Sequence, residues 1–244
     1  AKKVADEAEV FSITYEETPV SFEANRLKRL DTRQGQSLML RLIKDGKIGY
    51  ATTSNVAAQK ELVEMALEMS HIGPEACFQF PNPDGYPKIE VYDAAVEQVS
   101  IEKMVDIGQS LIAAVTDRSP EILCEGGVSK ESASVTIANS RGGRASYKRS
   151  TFSVYMEGTL IRGTDMLFVG DGDTSCRPIQ DYHPVASTVL EQLERARELA
   201  KPPAGQMPVI LTPHGVASVL IPSLLAGFNG KSVLEGASPI GNKV

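Results

Sequence analysis

The clearest local signal lies in Ser37-Leu-Met-Leu-Arg-Leu-Ile-Lys-Asp-Gly-Lys-Ile-Gly-Tyr-Ala-Thr-Thr-Ser54. Leu38, Leu40 and Leu42 alternate with Met39 and Arg41, the period of a half-buried strand. Asp45-Gly46 supplies the positive φ angles that a two-residue hairpin turn needs. Lys47 to Thr52 then returns as the partner strand, so an antiparallel hairpin is expected here. Ser54 or Asn55 is placed to cap a following helix, in which Leu62, Met65, Ala66 and Met69 repeat at helical spacing. Gly73-Pro74 supplies a left-handed stop.

Further along, Phe80 to Pro87 is dense in Pro and Gly and reads as a linker between domains. Ser100 caps a helix over Ile101–Thr116, whose buried face is Ile101, Met104, Val105, Gly108, Leu111, Ile112 and Val115. Three strands follow, at Val128–Asn139, Arg144–Glu157 and Thr159–Val169. Phe152, Val154 and Met156 alternate with Ser153, Tyr155 and Glu157, as an antiparallel sheet with one wet face requires. A helix from Pro184 to Ala200 presents Leu193, Ala196 and Ala200 on one face. Pro202 to Gly205 forms a second linker. A short strand at Pro208–Leu211 leads to Thr212-Pro213, a cap followed by a proline suited to the first helical position. Ala217, Leu220, Leu224 and Leu225 make the buried face of that helix, Pro222 kinks or stops it, and Gly227 to Gly230 ends it. The fold class is α+β, with mixed or antiparallel sheets and packed helices.

Composition fits this reading. The 244 residues are 42% hydrophobic and 23% charged, ordinary values for a globular protein. Lys plus Arg number 25 against 31 Asp plus Glu, a net charge of −6. That sign argues against nucleic acid or an anionic membrane as a partner. No apolar run reaches the roughly 18 residues of a membrane span, and no basic-then-apolar leader opens the chain. The first residues, Ala1 to Ala5, sit in a helical pattern, and Pro239 to Val244 is a loop with no closing element. Both ends read as cut, and a fragment of a longer chain is expected.

Candidate chemistry is sparse. Cys77, Cys124 and Cys176 lie about fifty residues apart, without a Cys-x-x-Cys pair, which suits free thiols in a reducing cytoplasm. A nucleophilic Cys needs a base, and His71, His183 and His214 are not paired with any of them in sequence. His71 fits a helix C-terminus, His183 a helix start, and His214 a structural or surface position. Asp171-Gly172-Asp173 reads as a solvated turn before it reads as a cation site. Asn139-Ser140-Arg141-Gly142-Gly143-Arg144 lacks the lysine and spacing of a phosphate loop and reads as a β-turn with exposed arginines. Arg26, Lys28, Arg29 and Arg33 are interleaved with Glu23 and Asp31, a mixed-charge solvated face. No catalytic triad, His-Glu metalloprotease helix or dinucleotide fingerprint occurs.

The order of segments adds what no one motif carries. Val20 to Leu30 followed by the Arg41–Asn55 hairpin resembles the N-terminal domain of the TldD/PmbA family. Val135-Thr-Ile-Ala-Asn-Ser-Arg-Gly-Gly143 is similar to its central Asn-Ser-x-Gly segment. Pro208 to Pro213, Leu224-Leu-Ala-Gly-Phe-Asn-Gly230 and Glu235-Gly-Ala-Ser-Pro239 resemble the opening of its C-terminal domain. The resemblance implies an N-terminal domain over 1–80, a central domain over 88–201 and a truncated C-terminal domain from 206 to 244. It also implies a cytoplasmic two-subunit metallopeptidase that trims or degrades peptides. TldD-like members carry a His-Glu-x-x-x-His zinc motif, with two zinc-binding histidines and a Glu that can serve as base.

This chain places Pro222, Ser223 and Gly227 at the three positions, and no His or Glu occurs from Gly215 through Ser232. No catalytic, cofactor-binding or metal residue is therefore carried over, and zinc is expected only in a TldD-like partner. The resemblance is to the PmbA (TldE) type. Its expected role is a non-catalytic subunit of the complex, in a heterodimer with a TldD-like subunit or a homodimer, forming part of a peptide channel. The alternative is a regulatory protein of the gyrase-modulator kind without peptidase function.

Overall fold

The computed structural model describes residues 1–82, 85–198, 200–201 and 203–241. The chain divides into two units, Ala1–Glu198 and Leu199–Val244. Pro83 and Asp84 of the first expected linker, Pro202 of the second and the last three residues of the closing loop lie outside the described residues, as does Leu199 near the end of the fourth expected helix.

The first unit is built on one antiparallel sheet. Its strands are β1 (Glu7–Glu23), β2 (Arg26–Leu30), β3 (Arg33–Lys44), β4 (Lys47–Thr53), β5 (Leu123–Asn139), β6 (Arg144–Arg162) and β7 (Asp165–Ser175). The order across the sheet is β4-β3-β1-β5-β6-β7, with β2 pairing the far end of β1. β1 is the spine. Glu7–Glu17 pairs Arg33–Ile43 on one side, while Glu9–Phe22 pairs Gly126–Asn139 on the other. The fold is α+β, as the sequence indicates.

The hairpin stands as read: Asp45 and Gly46 take φ of +50° and +73°, and Lys44 pairs Lys47 across the turn. A second left-handed pair, Ala24 and Asn25, turns β1 into β2. Asn25 then ties this turn to β5. Its Oδ1 accepts from the Cys124 N–H at 2.7 Å, and its Nδ2 donates to the Ile122 carbonyl at 3.0 Å.

Among the described residues, four helices belong to this unit: α1 (Gln59–Ile72), α2 (Ala95–Gln98), α3 (Ile101–Thr116) and α4 (His183–Arg195). Cross-strand partners share a face, and alternate residues of a strand share a face. Ala8 pairs Leu42 and packs with Leu40, Ala51, Leu62 and Ala66 under α1. Val20 pairs Val128, which pairs Val154; these pack with Met104, Leu111, Val185 and Val189 under α3 and α4. Positions 8 and 20 have the same parity in an unbroken strand. The two apolar clusters therefore sit on one face, at opposite ends of β1, with Ser12, Thr14 and Glu16 between them.

Several boundaries differ from the sequence reading, each for a local reason. Helix α1 starts at Gln59, because Asn55 Oδ1 accepts from the Ala57 N–H at 3.1 Å and closes a turn instead. Its buried face is Leu62, Ala66 and Ser70, while Met65 and Met69 are exposed. Gly73 is extended rather than left-handed, at φ −72°. Ser100 does cap α3, its Oγ accepting from the Lys103 N–H at 3.2 Å, and the buried face agrees except that Ile107 is buried and Ile101 and Val105 are half-buried. The break expected after Glu157 is absent. β6 runs on to Arg162 because Gly158 fits against Ile122, and the turn falls at Gly163, with φ +64°. Asp171 and Asp173 consequently lie in β7, not in a loop. Helix α4 ends at Arg195 with Val185, Ala186 and Val189 buried. The helical pattern of residues 1–5 contracts to one hydrogen-bonded turn.

In the second unit, Thr212 caps as expected, its Oγ1 accepting from the Gly215 N–H at 3.1 Å. Pro208–Leu211 forms no strand and Ile210 is 93% exposed. A π-helical turn, Val216–Leu220, precedes Pro222, which lacks the N–H of a regular helical bond. Ala217, Leu220, Leu224 and Leu225 are exposed rather than buried.

Two measurements follow. A Cβ at Gly49 would run into the Ala66 carbonyl, where α1 lies on β4. Gly49→Ala should lower unfolding stability by about 2 kcal/mol, read as a reduced urea midpoint; an unchanged midpoint would show that α1 does not sit this close. Burial pushes the Cys124 thiol from its ordinary value of 9.0 up to about 11. The unfolded chain releases this proton first, so stability should hold below pH 9 and fall as pH rises towards 11, by up to about 3 kcal/mol. Cys124→Ala should lack that part of the alkaline loss.

Candidate functional site

Between the two apolar clusters the helix-side face of the sheet is left open. The opening is a groove of about 900 Å³. Its floor is polar and comes from four adjacent strands. Thr14 and Glu16 of β1 pair Gln36 and Gln34 of β3 on one side and Ser134 and Ser132 of β5 on the other; Ser134 in turn pairs Lys148 of β6. Gln34 Nε2 donates to Glu16 at 2.6 Å.

One wall is formed by the segment entering α2. The Ser150 N–H donates to the Val91 carbonyl at 2.9 Å, and Ser150 Oγ accepts from the Asp93 N–H at 2.8 Å while donating to the Cys176 carbonyl at 2.7 Å. This fixes Tyr92 at the groove, where its hydroxyl donates to Glu97 at 3.1 Å and Lys148 Nζ lies 5.4 Å from the ring centre. Partial burial, and then the Glu97 carboxylate, hold the Tyr92 phenol above its ordinary range. Lys130 Nζ bonds to the Glu97 and Val99 carbonyls at 2.8 and 2.6 Å and anchors α2 over the sheet. The other wall includes Ser54, after β4.

The residues singled out from sequence are elsewhere. His71 is exposed in the last turn of α1, with its carbonyl accepting from Lys47 Nζ at 3.1 Å. His183 opens α4, its ring 5.1 Å from that of Tyr182. His214 lies in the short turn Pro213–Gly215 of the second unit. All three cysteines are free; Cys77 is exposed, Cys124 buried and Cys176 half-buried. The basic cluster at β2 is solvated and internally paired, Lys28 with Glu23 at 3.1 Å, and Arg29 and Arg33 with Asp31 at 2.7 and 3.2 Å. Asp31 is held below the usual carboxylate range: desolvation is the largest influence and works upward, but the two arginines together outweigh it.

In the Asn139–Arg144 turn Arg144 is exposed as expected, but Arg141 is half-buried and engaged. Asn139 Oδ1 accepts from the Arg141 and Gly143 N–H groups at 3.0 and 2.9 Å. Arg141 bonds to Glu7 at 3.1 Å, Gln79 at 2.7 Å and Asn82 at 3.0 Å, and Asn139 Nδ2 donates to the Pro81 carbonyl at 2.9 Å. The turn clasps the start of β1 and the segment that follows α1.

The groove itself was missed in the sequence, although a signal exists. Along β1 the inward positions read Ala8, Val10, Ser12, Thr14, Glu16, Thr18, Val20 and Phe22, a polar gap inside an apolar row. Chemically, the groove can bind an extended polar chain through hydroxyls, amides and one ammonium. Its serines have no histidine beside them, and among the described residues no group of three or more His, Cys, Asp or Glu side chains gathers as a metal site would require. The residues that the sequence resemblance sets against the zinc motif are Pro222, Ser223 and Gly227. Pro222 and Gly227 offer no side-chain ligand, and the Ser223 hydroxyl donates to the Val219 carbonyl at 2.7 Å.

Known proteins match this architecture. Residues 8–70 match the family model for PmbA/TldA metallopeptidase domain 1, and residues 95–201 match that for the PmbA/TldA metallopeptidase central domain. An uncharacterized protein of Methanocaldococcus jannaschii is 22% identical over the whole chain and 56% of its own length. TldE from Thermococcus kodakarensis superposes with a TM-score of 0.83 at 21% identity, over 100% of this chain and 56% of that one. A proposed modulator of DNA gyrase from Bacteroides thetaiotaomicron superposes with a TM-score of 0.85 at 15% identity, over 100% and 57%. At these identities the superpositions establish the fold. The chain spans a little over half the length of the relatives it matches. With its first and central domains both matched in order, the chain belongs to the PmbA/TldD family.

Proposed function

We propose that this chain is part of the non-catalytic subunit of a TldD/PmbA-type metallopeptidase complex, in which it holds peptide for a zinc-bearing TldD-like subunit. In this reading residues 1–80 and 88–201 are its N-terminal and central domains, joined through one sheet, and residues 206–244 open a third. The observation that carries it is the polar groove of about 900 Å³ running across β3, β1, β5 and β6. An extended peptide presents a backbone donor and acceptor at each residue, and a floor of Thr, Ser, Gln and Glu side chains can satisfy them without demanding one sequence. The mismatch of Pro222, Ser223 and Gly227 with a zinc motif supports assigning the hydrolytic step to the partner. A cytoplasmic setting belongs to the same proposal; among the described residues no helix is long and apolar enough to cross a membrane. The gyrase-modulator alternative draws on the name given to the Bacteroides protein, and the net charge of −6 disfavours direct duplex binding.

The test is reconstitution of the full-length polypeptide with a TldD-like subunit from the same source, using a fluorogenic peptide. Cleavage is expected only in the mixture, with zinc bound by the partner. Ser134→Trp, which fills the groove floor, and Lys148→Glu should each lower kcat/KM of the mixture by about tenfold, equivalent to ~1.4 kcal/mol, while leaving the melting temperature near wild type. Zinc-dependent cleavage by this subunit alone, or groove variants with full activity, would contradict the reading.

A further inference from the structure

The charges lining the groove are not evenly matched. Among the described residues Lys148 is the one cation there, with Glu16 and Glu97 as the carboxylates. Both carboxylates are engaged: Glu16 accepts from Gln34 Nε2 at 2.6 Å, and Glu97 accepts from the Tyr92 hydroxyl at 3.1 Å. Lys148 is exposed and lies against the Tyr92 ring, with Nζ 5.4 Å from its centre. Neighbouring cations are spent, Lys130 on the Glu97 and Val99 carbonyls and Arg149 on Glu131, whereas the Lys148 ammonium has, among the described residues, no hydrogen bond and no ion pair. A ring face attracts an ammonium but carries no counter-charge, so Tyr92 positions this charge without neutralising it.

We propose that Lys148, with the hydroxyl of Ser134 beside it, is a carboxylate-recognition subsite that makes the groove selective for peptides bearing a carboxylate at its β6 end. The proposal rests on the peptide-holding role given to the groove. Ser134 pairs Lys148 across β5 and β6, so both side chains stand on the groove face. An ammonium and a neutral hydroxyl complement a single negative charge through one charge-assisted hydrogen bond and one ordinary one. A phosphate dianion would want a second cation, and Glu97 on the same wall opposes it. The wall also sets where the carboxylate falls along the peptide. Ser150 holds the backbone on either side of Tyr92, through Val91 and Asp93, and so fixes Tyr92 as the barrier at this end. A chain crossing the strands from β3 therefore stops at Lys148. Four strands at ~4.8 Å spacing give a floor of ~14 Å, the span of about four residues of extended peptide. The terminal carboxylate of such a peptide, or an acidic side chain at its end, supplies the group. Glu16, two strands away on β1, then lies under the upstream part of the chain, clear of the bound carboxylate.

The test is fluorescence anisotropy of the full-length polypeptide with short, otherwise neutral peptides labelled at the N-terminus. Each carries a C-terminal acid or amide, combined with Glu or Gln as the residue before the last. Peptides with a carboxylate should bind about tenfold more tightly than the Gln amide. Lys148→Met should erase that difference and Lys148→Arg should keep it, both with the melting temperature of the wild type. A preference for acid over amide assigns the terminal carboxylate, and a preference for Glu over Gln among the amides assigns the side chain; either supports the subsite. Equal binding of all the peptides by the wild type, or a preference that survives Lys148→Met, would overturn it while leaving the peptide-holding role standing. Failure of every peptide to bind would remove both, so the two proposals fail distinguishably.

Discussion

The double pairing of β1 is the constraint on which the rest of the first unit depends. One strand carries β3 and β4 on one flank and β5, β6 and β7 on the other, over Glu7–Glu17 and Glu9–Phe22. Contacts of such separation carry a large loop-closure cost, and the structure locks them at both ends. Asn25 ties the β1–β2 turn to Ile122 and Cys124, while Ser140 and Arg141 tie the β5–β6 turn to Ala8 and Glu7. Because the same strand runs beneath both helical layers, the space between α1 and α3 becomes a groove with a continuous floor. Had the two halves formed separate sheets, Gln34, Glu16 and Ser132 would not lie in one row.

Local chemistry was legible. The Asp45-Gly46 turn, the Ser100 and Thr212 caps and the Phe152–Met156 alternation each depend on residues within a few positions of one another, and each is found. What depends on distant partners was not. β1 has no clean alternation over Thr14-Tyr-Glu-Glu-Thr18, because its inward positions there face a groove rather than a core. Pro208–Leu211 shows the reverse: an apolar run with strand composition, but no strand to pair with. Arg141 looked exposed because its acceptors, Glu7, Gln79 and Asn82, are far away in sequence. The family was readable from the order of segments, which survives at identities where no single motif does.

The groove, too, was visible only after folding. Tyr92 and Lys148 are unremarkable in sequence, fifty-odd residues apart, yet they meet at 5.4 Å because Ser150 holds the backbone around Tyr92. The resulting site offers hydrogen-bonding side chains to a ligand, and in the proposed complex the bond-breaking step is left to a partner. That division suits a subunit that positions substrate for chemistry performed elsewhere, the role proposed for this chain.

The most direct test is to find where peptide touches it. A short extended peptide bearing a benzophenone side chain can be photo-crosslinked to the full-length polypeptide and the adducts mapped by mass spectrometry. The account predicts adducts on Tyr92, Lys148 and the Gln34–Ser37 and Ser132–Ser134 segments. Adducts confined to Met39, Tyr50 and Tyr147 on the opposite face, or none with the groove residues, would contradict it.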